Sequence, residues 1–101
     1  MKANKLPPVH PGEILQEEFM GPLGLSQNAL ARALKVPPRR VNELVHGKRS
    51  ISVDTALRLA RYWGTTPDFW LNLQTHYDLV LAREELAERI QREVQARGRA
   101  A

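Results

Sequence analysis

The chain has 101 residues, 43% hydrophobic and 26% charged, with no cysteine, a net charge of +4 and a sequence pI near 10.0. That is the length of one domain with some chain to spare, and it holds neither a disulfide framework nor a thiolate zinc site. No apolar run is long enough to span a bilayer, and the two lysines of MKANKLPPVH lead into no signal-peptide stretch, so the composition predicts a cytoplasmic protein without a membrane partner.

Helix signals run the length of the chain, and nothing alternates with period two for long enough to read as a strand. Residues 1–8, MKANKLPP, read as a flexible arm. In HPGEILQEEFM, His10 belongs to the N-terminal cap and Pro11 to the first turn. Glu13, Glu17 and Glu18 lie toward the end that favours negative charge. Ile14, Leu15, Phe19 and Met20 form the apolar stripe, and Gly21-Pro22 is expected to end the helix. Ser26 is an N-cap for a second helix, QNALARAL. The third is the stretch KVPPRRVNELVHG, entered through Pro37-Pro38 and closed by Gly47.

Ser52 caps a fourth helix, VDTALRLARYW, with Asp54 in its first turn. Ala56, Leu57, Leu59, Ala60 and Trp63 are predicted inward, and Gly64 marks the stop. Thr66, Pro67 and Asp68 start a fifth helix that is predicted to reach about Ala96. Its apolar stripe is Phe69, Trp70, Leu73, Tyr77, Val80 and Leu81, continued more thinly by Leu86 or Ala87, Ile90 and Val94. Glu85–Arg89, Glu88–Arg92 and Glu93–Arg97 have the i,i+4 spacing of supporting ion pairs. The prediction is an all-α, five-helix fold with an extended C-terminal helix.

Residues 26–47, SQNALARALKVPPRRVNELVHG, carry the strongest signal. Counted from Gln27, the residues Leu30, Ala31, Leu34, Val36, Val41 and Leu44 stand at four, five, eight, ten, fifteen and eighteen. A helix-turn-helix needs apolar side chains at those positions, and the small Ala31 lets its second helix pack closely on the first. Lys35 stands at nine, where such turns ordinarily place glycine for a positive φ. Either lysine is held there at a cost of about 1 kcal/mol, or the turn takes another path. The spacing resembles the phage-repressor-like class, whose second helix enters the DNA major groove.

A generic helical bundle needs the same apolar spacing, but not the same exposed face. From Arg32 to Arg61 there are eight basic residues against Glu43 and Asp54, a net +6 that leaves −2 for the rest of the chain. With Val41 and Leu44 inward, Pro38, Arg39, Arg40, Asn42 and Glu43 face outward. Arginine can bridge guanine O6 and N7, asparagine can pair with adenine, and glutamate can accept from cytosine N4. Gln27 is placed to touch a base or brace a phosphate, while Ser26, His46, Lys48 and Arg49 suit the phosphate backbone.

HPGEILQEEFM, VNELVHGKR, DTALRLAR and TTPDFWLNLQ together resemble the HigA-type antitoxins of bacterial toxin–antitoxin modules, members of the Xre-like repressor class. The resemblance covers residues 9–82, leaving 83–101 as a helical extension. It implies a cytoplasmic homodimer that represses its own operon by binding palindromic operator DNA. It also implies neutralisation of a cognate HigB-like toxin, an endoribonuclease of RelE-like fold. It places the DNA-facing role on Gln27, Pro38, Arg39, Arg40, Asn42 and Glu43, with Lys48 and Arg49 as backbone clamps.

The fifth helix is longer than the rest of the chain can cover. Its uncovered surface can pair with the same helix of a second subunit, dock against a toxin or fray. The first of these is preferred, with Trp70, Leu73, Tyr77, Val80 and Leu81 as the expected dimer contacts, which would set two recognition helices about 34–36 Å apart. No enzymatic constellation is visible: His10, His46 and His76 are dispersed, Glu17 and Glu18 point about 100° apart, and there is no phosphate-binding glycine loop. No cofactor, metal or small-molecule substrate is expected. The other readings of the same sequence are a repressor without a toxin and a helical protein-binding adaptor.

Overall fold

The computed structural model describes residues 8–98, so the predicted N-terminal arm lies, apart from Pro8, outside the described residues. The described chain is helical without strands, and its five helices follow one another through short turns. The first, α1, runs through Pro11–Ile14, Leu15–Met20 and Gly21–Leu23. It is followed by α2 (Gln27–Leu34), α3 (Pro38–Val45), α4 (Val53–Trp63) and α5 (Pro67–Glu93).

The helix starts follow the capping residues. His10 Nδ1 accepts from the Gly12 N–H, Ser26 Oγ from Ala29, Ser52 Oγ from Thr55 and Thr66 Oγ1 from Phe69. The end of α1 departs from the prediction, because Gly21-Pro22 lies inside the helix. Over Leu15–Met20 the hydrogen-bond ladder slips to i→i+5, and the Gly21 N–H donates to the Gln16 carbonyl. Such a slip relieves the clash a proline ring otherwise makes with the carbonyl of residue i−4. The helix stops one turn later, at Gly24, with φ 61°.

The helix-turn-helix positions pack as predicted. Leu30, Ala31, Leu34, Val36, Val41 and Leu44 are all buried, in one core with Leu15, Met20, Ile51, Ala56, Leu59 and Trp70. Lys35 takes the first of its two alternatives. Its φ of 61° and ψ of 45° are left-handed, and among the described residues it alone has a positive φ without being glycine. The N–H groups of Lys35 and Val36 thereby cap the carbonyls of Arg32 and Ala31, and Val36 turns back into the core.

Two other predictions are revised. Leu57 is 54% exposed, because Ala56, Leu59 and Ala60 define the buried face of α4 and Leu57 falls beside it. On α5, Phe69 is 37% exposed, with its ring against Phe19 and Trp70, and the residue that follows Trp70 fully inward is Gln74, which lies off the predicted stripe. Gln74 is satisfied there: its Oε1 accepts from the Ile51 N–H at 2.8 Å, and its Nε2 donates to Asp78 Oδ1 at 3.0 Å. Trp70 likewise donates to Thr65 Oγ1 at 2.8 Å.

Helix α5 has 27 residues, about 40 Å at 1.5 Å per residue. Its first half packs on α4 and α1, and its second half projects, with Leu81 and Ile90 exposed. It ends at Glu93, short of Arg97, and Arg89 reaches forward to Glu93 at 3.3 Å rather than back to Glu85.

The N-terminus of α1 is pressed against the C-terminus of α3. A Cβ built on Gly12 would lie 1.6 Å from the Leu44 carbonyl oxygen, which already accepts from the Gly47 N–H at 3.0 Å. Gly12→Ala must therefore force the two helices apart, and should cost about 1–3 kcal/mol in urea unfolding. An unchanged midpoint would contradict the contact. Lys35→Gly should instead raise stability by about 0.5–1 kcal/mol by removing the left-handed penalty.

Candidate nucleic-acid interface

Helix α3 has eight residues and is about 12 Å long, so its direction is set by what holds its ends. At the start, Pro37 is extended (φ −62°, ψ 142°), as a residue before proline prefers, and Pro38 occupies the first helical position. At the end, Gly47 has φ 72° and lies against the His10 ring. That ring caps α1 through Nδ1 and stacks edge-on to Tyr77 at 4.9 Å. Burial holds the His10 pKa below the ordinary histidine range, opposed by the Asp78 charge and a backbone hydrogen bond with Arg49. The neutral ring is the form that accepts from Gly12.

The predicted DNA-facing residues differ in exposure and in partners. Ser26, Pro38, Arg39, Asn42, His46, Lys48 and Arg49 are exposed, and Gln27, Arg40 and Glu43 are half-buried among them. Asn42 Nδ2 donates to Gln27 Oε1 at 3.0 Å, which joins the two helices of the motif at the surface they share. The Ser26 oxygen is occupied by the cap of α2. His46 Nδ1 is 2.8 Å from the Asn42 carbonyl, which can only accept, so the ring proton belongs on that nitrogen.

The two adjacent arginines have different surroundings. Arg39 is 83% exposed and donates to Glu43 Oε2 at 2.9 Å, while Arg49 holds Glu43 Oε1 at 2.8 Å. Arg40, predicted to face outward beside Arg39, turns toward α4 and meets Asp54 Oδ2 at 2.6 Å. Asp54 is shared with Arg58, which also donates to the Leu34 carbonyl at 2.8 Å. Arg40, Asp54 and Arg58 thus brace α2, α3 and α4 around the turn. Sequence reasoning missed this brace, although the i,i+4 spacing of Asp54 and Arg58 was a signal for half of it. The Arg39 and Arg49 hydrogen bonds pull the Glu43 carboxyl below the usual carboxylate range, and Arg40 and Arg58 do the same to Asp54.

A basic, rigidly held helix on the outer side of a two-helix motif can read a groove edge and grip phosphate. The helix-turn-helix family matches residues 16–70, which include α2, α3 and α4. The chain is 55% identical over 82 residues to virulence-associated protein I of Dichelobacter nodosus, covering 81% of this chain and 76% of that one. Among solved structures, an addiction module antidote protein of the HigA family from Coxiella burnetii is 48% identical with a TM-score of 0.85, covering 90% of this chain and 99% of its own. Pseudomonas aeruginosa antitoxin HigA, solved with the higBA promoter, is 45% identical with a TM-score of 0.87 over the same shares. The chain belongs to the HigA-type helix-turn-helix family.

The family core thus comprises the packed helices that carry the exposed face, and no described helix is long and apolar enough to cross a membrane. Both lowered carboxyl pKa values mean that charged Glu43 and Asp54 favour the folded pairs. Their contribution is fully present above the ordinary carboxylate value and is lost as pH falls through the lowered ones. Carboxyl NMR titration should place Glu43 below an ordinary glutamate, and Arg39→Ala with Arg49→Ala should move it back up. A Glu43 titration indifferent to both substitutions would contradict the pairing.

Proposed function

We propose that this protein is an autorepressor and antitoxin that binds palindromic operator DNA as a dimer and neutralises a HigB-like endoribonuclease by direct contact. The observation that carries the DNA half is the short α3, held at both ends, which presents Arg39 and the Gln27–Asn42 pair with Lys48 and Arg49 beside them. The relative from Pseudomonas aeruginosa was solved with the higBA promoter, which supports the same partner here.

In this reading Arg39 and Asn42 contact base edges, while Lys48, Arg49 and Ser26 contact phosphate. Arg40 acts from behind, through Asp54, as a brace. The dimer forms along α5, where Leu73, Tyr77 and Val80 are half-buried and Leu79 and Leu81 are exposed. Trp70 has no surface left to offer a partner, because the chain's own core buries it completely.

Arg39→Ala should weaken binding to the duplex upstream of the protein's own reading frame by about 1–3 kcal/mol and relax preference at one base pair per half-site. Lys48→Ala should weaken promoter and shuffled duplexes alike and reduce the salt slope by about 1. Fluorescence anisotropy across a salt series reads both, and equal affinity of Arg39→Ala and the parent for the promoter duplex would sink the base-reading role. Co-expression with the adjacent small basic RNase-like protein should give a stable complex; failure to co-purify counts against the antitoxin half.

A further inference from the structure

Glu43 is a carboxylate in the middle of a face that should meet polyphosphate, and the apolar pattern of α3 does not require it there. Each of its oxygens is taken by a different guanidinium. Arg39, one turn earlier, donates Nε to Oε2 at 2.9 Å, and Arg49, from the loop after α3, donates Nη2 to Oε1 at 2.8 Å. The two arginines are otherwise open to solvent, with side chains 83% and 44% exposed. The carboxylate therefore holds the Nε side of each guanidinium, Nε of Arg39 and Nε with Nη2 of Arg49, one of the two edges through which an arginine meets guanine or phosphate.

We propose that Glu43 is a specificity-determining restraint, an internal competitor that holds Arg39 and Arg49 in place by their Nε edges until DNA offers acceptors to both. This rests on the operator-binding reading and adds a role to it. A duplex of arbitrary sequence offers mainly phosphate, so freeing the arginines exchanges one anion for another and leaves Glu43 bare beside the DNA backbone. A G·C pair in register offers more: O6 and N7 of guanine accept Arg39, and the N4 amino group of cytosine donates to the released carboxylate. The restraint thus weakens binding to arbitrary DNA more than to the operator. It also leaves the Arg39–Glu43–Arg49 triad with a net charge of +1 instead of +2.

Glu43→Gln keeps the shape and removes the competing charge. The full-length protein and this variant are compared by anisotropy on the upstream duplex and on a shuffled duplex of the same composition, across a salt series. Glu43→Gln should bind the shuffled duplex roughly two- to fivefold tighter with a salt slope steeper by about 1, and its promoter-to-shuffled ratio should fall. Glu43→Asp, which retains the charge but is too short to hold both arginines, should give an intermediate ratio. Weaker binding to both duplexes would make Glu43 a mere splint for the arginines, and loss on the promoter duplex alone would make it a plain base contact. Either result, or no change, overturns the restraint. Arg39→Ala with Arg49→Ala separates the two levels: if that pair leaves promoter binding intact, the operator reading itself fails, whatever Glu43→Gln does.

Discussion

The close approach of Gly12 to the Leu44 carbonyl is the constraint on which the exposed face of the protein depends. Only a residue without a side chain lets the start of α1 reach the end of α3 at that distance. The contact does more than fill space. It sets the His10 ring against Gly47, where the ring both caps α1 and closes over the C-terminus of α3. Tyr77 then backs the ring from α5, so the longest helix is tied to the junction of α1 and α3. The HPGEIL stretch is thus a clamp on α3 as much as the start of a helix of its own.

The other end of α3 is held by different means. Pro37 and Pro38 restrict φ before the helix begins, and Lys35 accepts a left-handed conformation so that the turn can satisfy the last carbonyls of α2. Behind this turn, Arg58 reaches the Leu34 carbonyl and shares Asp54 with Arg40. Exposed ion pairs contribute little stability individually. Here their consequence is directional, since they commit Arg40 inward and leave Arg39 as the arginine that leaves α3 toward solvent. A helix of two turns cannot average out errors in its ends, which is why rigidity at both ends fixes the direction in which its side chains leave it.

What was legible in the sequence was what depends on neighbours in the chain. Ser26, Ser52 and Thr66 declare their helices through a hydroxyl and an N–H three residues on; five of the motif's six apolar positions fall at helical spacing, and Val36, in the turn, follows from the motif's own spacing. Lys35 was legible as a conflict, between a side chain that resists positive φ and a motif that demands it, and the packing of Val36 resolved it. Less legible was whatever depends on which helix lies across. Gly21-Pro22 reads as a stop, yet the slipped ladder before it carries the helix through. Leu57 reads as core by its chemistry but falls beside the buried face of α4. Gln74 has no place in the predicted stripe of α5, and is buried because the loop after α3 brings the Ile51 N–H to it. The same holds for the site: Arg39 and Arg40 are adjacent and alike in sequence, and only the position of Asp54 on the neighbouring helix separates their roles.

We propose the α3 face, with Arg39 and Asn42 at its middle, as the surface that meets DNA. Titrating the labelled protein with the duplex upstream of its own reading frame, followed by NMR, tests this most directly. The amide signals of residues 38–49 and the side-chain signals of Arg39, Gln27 and Asn42 should shift together, with contacts from Arg39 to major-groove protons. Shifts confined to the projecting half of α5, with α3 unchanged at saturation, would contradict it.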